Sequence, residues 1–213
     1  MTPWGVGMYD DGSRRVRWEC SNEEIQRDMG TATKLLTELG VVSGERVLFC
    51  SMLSEAAQFW PLIVGAMLNG AQLSCADANE GDAVRVAMFT QRLSYHAVLG
   101  VTPEILDGLD DLGRSYEDVF HGIPIIGARP GAFERLTASG LAPYHLVLCG
   151  PALAVGRVPH GPAFAAPGEW ELGADDTRIV VSNLKPRATS FDRAPTAIVG
   201  EVSEGGVIPK EFS

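Results

Sequence analysis

The sequence predicts an α/β protein: a mostly parallel sheet with helices on both faces, followed by a small β-rich subdomain. Three observations carry this. Between residues 21 and 101, apolar stripes at helical spacing alternate with short apolar runs separated by glycine turns. The runs at 47–52 and 95–101 are apolar at nearly every position, as strands covered on both faces must be. Beyond Gly150 the prolines at 151, 159, 162 and 167 exclude long helices, and the apolar segments become short and β-rich. The chain therefore divides into an α/β layered domain, 1–150, and a β-rich tail, 151–213, packed on it, with a soft boundary near Gly150.

In chain order, residues 1–20 hold Gly5, Gly7 and an Asp10-Asp11-Gly12 turn, and the Arg/Val alternation ending at Trp18 reads as a short edge strand. Ser21-Asn22-Glu23-Glu24 has the form of a capping box: the Ser21 oxygen accepts from the Glu24 amide while the Glu24 carboxylate reaches back. Ile25, Met29, Ala32, Leu35, Leu36 and Leu39 form one apolar stripe on a helix that Gly40 stops. Ser54 is placed to cap the next helix. Phe59, Trp60, Ile63, Val64 and Met67 would face inward, and Pro61, comfortable only in a first turn, would shift the helix start.

Residues 71–75 read as a strand and the acidic stretch 77–82 as a loop, followed by a helix through Val84, Met88 and Leu93. Thr102-Pro103-Glu104 combines a capping hydroxyl, a proline at the first helical position and an acid near the positive end of the dipole. Residues 113–119 read as polar loop, 123–127 and 145–149 as strands, and 130–139 as a helix stopped by Gly140. In the tail, strands are expected at 152–158, 169–172, 178–182 and 196–202.

The net charge of −10, with lysine present only at 34, 185 and 210, argues against binding nucleic acid or an anionic membrane. The start, Met1-Thr2-Pro3-Trp4-Gly5, does not have the form of a signal peptide, and the longest apolar stretch, 59–68, is too short to span a bilayer. Cys20, Cys50, Cys75 and Cys149 form no C-x-x-C pair, and the last three sit in apolar strand patterns as small hydrophobes. A reduced, cytoplasmic protein is expected, without disulfide or metal.

Residues Leu35-Leu36-x-x-Leu39-Gly40-Val41-Val42-Ser43-Gly44-Glu45-Arg46-Val47 resemble the L-x-x-L-G-V-x-x-G-D-x-V run of AMP-binding acyl-CoA and acyl-adenylate synthetases. The helix ending Gly65-Ala66-Met67-Leu68-Asn69-Gly70-Ala71 is similar to the G-x-x-x-x-G-A that follows it. More weakly, Gly150-Pro151-Ala152-Leu153 resembles a turn near the family's adenylate pocket, and 178–184 the strands before its ribose-binding aspartate. The resemblance implies the fold of the N-terminal part of these enzymes in a short relative, and it alone suggests ATP/AMP or CoA. The departures concern chemistry. No Ser/Thr/Gly-rich loop ends in Pro-Lys, since Thr31-Ala32-Thr33-Lys34 lies within a patterned helix. The chain reads Ala197-Ile198-Val199-Gly200 where the ribose-binding aspartate would follow; Asp192 would need a shifted alignment. Lys210 stands without the domain that would position a catalytic lysine. No catalytic residue or cofactor is therefore assigned, and autonomous adenylation is not expected.

What remains for function is the crevice beyond the carboxyl ends of parallel strands. Those ends carry Ser51, Ser54, Cys75, Asp77, Thr102, Gly150 and Pro151, offering places for a small carboxylate or a nucleotide. Phe164 and Trp170 could line a pocket, although core packing is their ordinary role. His145, Cys149 and His160 could be drawn as a thiol with imidazole bases, but a buried thiol is the simpler reading. The function expected is small-molecule binding or a partner or regulatory role, with a homodimer or another protein covering apolar surface. The alternative is a residual or repurposed acyl-activating enzyme completed by a second chain.

Overall fold

The structure, a computed structural model, describes residues 2–210; Met1 lies outside them. The chain opens with a two-stranded antiparallel hairpin, β1 (Pro3–Asp10) and β2 (Arg15–Ser21). Gly5 and Gly7 are strand residues of β1, and Asp10-Asp11-Gly12 leads into the turn, with Gly12 at φ 90°. Trp18 crosses so closely over Gly7 that a Cβ there would lie 2.2 Å from the indole ring.

Helix α1 (Asn22–Glu38) begins as expected, with the Ser21 side chain accepting from the Glu24 amide, and stops at Gly40. The second half of the capping box does not form. The Glu24 carboxylate instead accepts the backbone N–H of Ala188, deep in the tail, and lies 3.9 Å from Arg187.

The buried strand β3 (Arg46–Cys50) leads through a 3-10 turn, Leu53–Glu55, into α2 (Ala56–Leu68). Ser54 is exposed and caps nothing; the Glu55 carboxylate accepts from the Met52 N–H at 2.9 Å instead. Pro61 lies inside α2 rather than in its first turn. The inward face is Phe59, Leu62 and Ala66, while Trp60 and Met67 point out and are exposed. A helix apolar all round has no periodicity contrast from which to read a face.

Next come β4 (Gln72–Ala76) and α3 (Ala83–Arg92). β4 ends the sheet, which leaves Cys75 exposed. On α3 the buried residues are Ala83, Val86 and Ala87, not Val84, Met88 and Leu93.

Strand β5 (Ala97–Val101) is buried throughout. Gly100, at φ 102°, sits where the pairing register shifts, and a Cβ there would lie 2.1 Å from the Cys50 carbonyl oxygen. Then α4 (Pro103–Asp111) starts with the Thr102 side chain accepting from the Ile105 amide. A short helix, α5 (Tyr116–Val119), capped by Ser115, replaces part of the expected loop. After β6 (Ile125–Ala128) and α6 (Ala132–Ala138) the parallel run ends at β7 (Tyr144–Cys149).

β8 (Ala152–Gly156) returns antiparallel to β7, followed by β9 (Ala163–Phe164), β10 (Trp170–Asp175), β11 (Arg178–Asn183), β12 (Ala194–Ser203) and β13 (Gly206–Pro209). All pair into one eleven-stranded sheet of order β10-β11-β12-β13-β9-β8-β7-β6-β5-β3-β4. Pairing is parallel from β4 to β7 and antiparallel from β7 to β10, so the change falls at Gly150 inside a continuous sheet.

The core has three parts. α1 and α2 cover one face of the parallel sheet, burying Leu36, Phe59 and Leu62 against Val47, Phe49 and Leu99. α3 to α6 cover the other, with Val86, Ile105, Leu109 and Leu136 on Leu48, Val98 and Ile126. The antiparallel strands and the opening hairpin enclose a third cluster around Trp18, Val147, Trp170, Ile179 and Val207.

Candidate functional site

A cleft of about 250 Å3 lies between α1, α2 and β8. One wall is Ala32 and Leu35 of α1; another is Ala57, Pro61 and Leu62 of α2. The third comes from Pro151, Leu153 and Val155, with Phe164 and Trp170 of the antiparallel strands. The same elements build the core, because the stripes that seal α1 and α2 onto the sheet continue into the cleft. The two aromatics weighed as pocket residues both line it, and Trp170 also packs in the third cluster.

Two uncharged polar side chains belong to the lining, Thr31, whose hydroxyl donates to the Arg27 carbonyl at 3.2 Å, and Gln58. Gln58 is 5% exposed, and its amide nitrogen donates to the carbonyls of Met8 and Gly150, each at 3.3 Å. These bonds tie α2 to the hairpin and to the turn after β7. The Gln58 amide oxygen is buried and has no hydrogen-bond partner. Charges stand at the cleft's margin: Lys34, Glu38 and Arg157 are exposed, with Arg157 3.6 Å from Glu38. Asp28 is already engaged by Arg187 at 2.7 and 2.9 Å.

The Arg187 cluster fixes one end of the cleft. Its guanidinium also meets Glu169 at 3.0 Å and lies 3.9 Å from the centre of the Trp170 ring. Arg27 and Lys185 bond Glu169 as well. Burial opposes ionisation of Glu169, but the hydrogen bonds from Lys185 and Arg27 hold its carboxyl below the usual range.

The strand-end residues separate into two groups. Pro151 lines the cleft and the Gly150 carbonyl is bonded to Gln58. Ser51, Ser54, Asp77 and Thr102 do not line it; they follow β3, β4 and β5. Ser51 donates its backbone N–H to Ala76 at 3.1 Å, the Asp77 N–H donates to the Asp82 carboxylate at 2.6 Å, and the Thr102 hydroxyl is committed to its cap. At this end of the sheet sequence reading missed a pair: Arg129, just after β6, holds Glu55 at 2.5 and 2.6 Å and lies over the Phe59 ring.

The thiol–imidazole arrangement is not supported. Cys149 is fully buried, and burial pushes its thiol up to about 12. His145 stacks on Phe133 at 3.6 Å, and burial, with the His160 charge, lowers it to about 4. Among the described residues no group of three His, Cys, Asp or Glu could hold a metal ion, and no helix is long and apolar enough to cross a membrane.

No family model and no curated protein matches the sequence. Solved structures do match. A 2-hydroxyisobutyryl-CoA ligase, solved with 2-HIB-AMP and CoA, superposes over 96% of this chain and 50% of its own, at TM-score 0.67 and 12% identity. The fold is that of AMP-forming acyl-CoA ligases. An o-succinylbenzoate-CoA synthetase of Bacillus subtilis gives TM-score 0.62 and 13% identity over 97% of this chain and 48% of its own. An acyl-CoA synthetase/AMP-acid ligase II-like protein of Dyadobacter fermentans gives 0.56 and 14% over 97% and 59%. The chain thus spans about half the length of these ligase structures, and its parallel strands continued by antiparallel ones toward the C-terminus match the part of them it superposes on.

Proposed function

We propose that this ligase-fold chain binds a small molecule in the cleft between α1, α2 and β8, and does not adenylate by itself. The observation that carries the reading is the cleft itself: three mainly apolar walls enclose about 250 Å3, with charged and polar groups at its margin. Concave apolar sites with few placed polar groups are the usual form of small-molecule sites. Adenylation needs fixed positive charge and aligned amides around the transferring phosphoryl group. Arg129, the cation just beyond β6, is neutralised by Glu55, and no Ser/Thr/Gly-rich loop in this sequence ends in Pro-Lys. The ligase-like alternative, in which a second chain completes an acyl-activating site, is weaker on both counts.

The test is a fragment panel read by ligand-observed NMR on the wild type and on Leu35→Trp, which fills the cleft from α1. Fragments that bind the wild type and are lost in the variant are expected; binding unaffected by the variant overturns the site. Magnesium-ATP, AMP and CoA are expected to give no thermal stabilisation, because a ligand held only by the native state must raise its melting temperature. A shift of several degrees with magnesium-ATP overturns the non-adenylating part.

A second reading, a protein-partner role, rests on the outer side of α2. Trp60, Met67 and Leu68 are exposed there, Leu53 is 90% exposed beside it, and the rings of Trp4 and Trp60 lie 6.2 Å apart. Such surface is ordinarily covered, and a homodimer is the simplest cover.

A further inference from the structure

β4 is one end of the eleven-stranded sheet, and its outer side is open to pairing. Gln72 donates its N–H to the Glu45 carbonyl at 2.7 Å, and the Ala76 carbonyl accepts from the Ser51 N–H at 3.1 Å. Strand alternation then turns the N–H and C=O groups of Leu73 and Cys75 away from β3. Among the described residues no strand meets them there. Sheet edges are ordinarily blunted by charge, proline or a bulge. The opposite end of the sheet, β10, carries exposed Glu171 and Asp175. Gln72-Leu73-Ser74-Cys75-Ala76 has neither charge nor proline, and it pairs with β3 without a register shift.

Both faces of the sheet beside this edge carry uncovered apolar side chains. α2 leads into β4 on one face and ends with Met67 and Leu68 exposed; α3 follows β4 on the other, with Val84 and Met88 exposed. Charge also runs along the strand from positive to negative. At its start stand Arg46, bonded to Gln72 at 2.9 Å, and the exposed Arg92 at the end of α3, opposed by Glu45, which lies 3.7 Å from His96. At its finish stand Asp77 and Glu80, both exposed, while Asp82 is held by Arg85. The strand that complements this edge antiparallel has a basic start and an acidic finish. β4 is itself such a strand.

We infer that a second copy of this chain joins along β4, antiparallel about a two-fold axis, so that the two sheets become one. Leu73 pairs with the partner's Cys75, and Cys75 with the partner's Leu73, each pair exchanging two backbone hydrogen bonds, with the axis at Ser74. This symmetry sets α2 beside its counterpart on one face of the joined sheet and α3 beside its counterpart on the other. Their exposed apolar side chains come together, and each basic start meets an acidic finish. The inference rests on the partner reading above and names the strand along which the copies join.

The test uses Cys75→Pro, which removes an outward N–H and puts the proline ring in the path of a paired strand. It breaks no ladder bond within the chain, because the Cys75 N–H faces away from β3. The wild type is expected to sediment as a dimer, and Cys75→Pro as a monomer with unchanged far-UV circular dichroism. In the wild type a short bismaleimide should link two copies Cys75 to Cys75. These side chains stand on one face of the joined sheet as diagonal neighbours about 7–8 Å apart. A Cys75→Pro protein that stays dimeric overturns the inference, and the outer-α2 reading then stands if Trp60→Lys with Met67→Lys still separates the copies. A dimeric wild type without the Cys75 link overturns it too, and this result decides if the proline variant does not fold. A wild type that stays monomeric at every concentration overturns both.

Discussion

Arg187 grips Asp28 through both terminal guanidinium nitrogens, at 2.7 and 2.9 Å, and so joins the loop after β11 to the first helix across 159 residues of sequence. The same guanidinium faces Glu169 and Glu24 and covers Trp170. One side chain thus balances three carboxylates and backs a wall of the cleft. Arg187→Met is expected to destabilise the protein by about 3–5 kcal/mol, because removing one partner leaves buried charge uncompensated. Arg187→Lys should recover only part of this, lacking the planar fork. Urea midpoints of the three proteins check both.

His145 gives an acid sensitivity with a defined sign. Its folded value is about 4, against an ordinary value near 6.5 in the unfolded chain. Between those values the unfolded chain holds the proton and the native state does not, so stability falls as pH drops from about 6.5 to about 4. The full contribution is present above that window, and up to about 3 kcal/mol is lost across it. Across Phe133 from His145 stands His160, whose charge acts in the same direction. His145→Phe keeps the ring stack and should flatten this part of the pH–stability curve. An unchanged slope refutes the assignment. Glu169, held below the usual carboxylate range, adds its own loss at lower pH, as its native partners are surrendered on protonation.

The four thiols should react in an order set by exposure. Cys75 is exposed, whereas Cys20, Cys50 and Cys149 are buried, with burial pushing Cys50 and Cys149 up to about 12 and Cys20 to about 11. Iodoacetamide followed by mass spectrometry is expected to label Cys75 in the native protein and the other three only after denaturation. Early labelling of Cys149 would reopen the thiol hypothesis.

The outer face of α2 predicts association. The wild type is expected to sediment as a dimer, and Trp60→Lys with Met67→Lys as a monomer with unchanged far-UV circular dichroism. Met67 is exposed and Trp60 half-exposed against Trp4, so the substitutions should cost chiefly the Trp4–Trp60 contact. A wild type that stays monomeric at every concentration refutes the covered-face reading.

Local chemistry was legible where it acts on its neighbours alone. Ser21 and Thr102 cap the helices expected of them, Gly40 stops α1, and β3 and β5 are as buried as their apolar runs required. What sequence could not supply was each element's position in the whole. Nothing in residues 72–76 says that the strand ends a sheet, so the exposure of Cys75 was hidden. β1 was missed because Gly7 answers to Trp18 across the hairpin, a contact the sequence does not display. The Glu55–Arg129 pair spans 74 residues and leaves no local trace. The cleft had one available signal: Gln58 is the lone polar residue in Ala56-Ala57-Gln58-Phe59-Trp60-Pro61-Leu62. A polar group amid so apolar a run needs partners, and asking for them leads to Gly150 and to the site.

The place of β13 bears on how the protein can fold. This late segment pairs between β12 and β9, in the interior of the sheet. Until Gly206–Pro209 has been synthesised, β10, β11 and β12 have no strand through which to join the parallel layer. The layer from β3 to β7 can condense early on the growing chain, but the last closure must wait. Folding should therefore show a slow phase governed by contacts distant in sequence, during which the unpaired edges of β9 and β12 are open to capture by other chains.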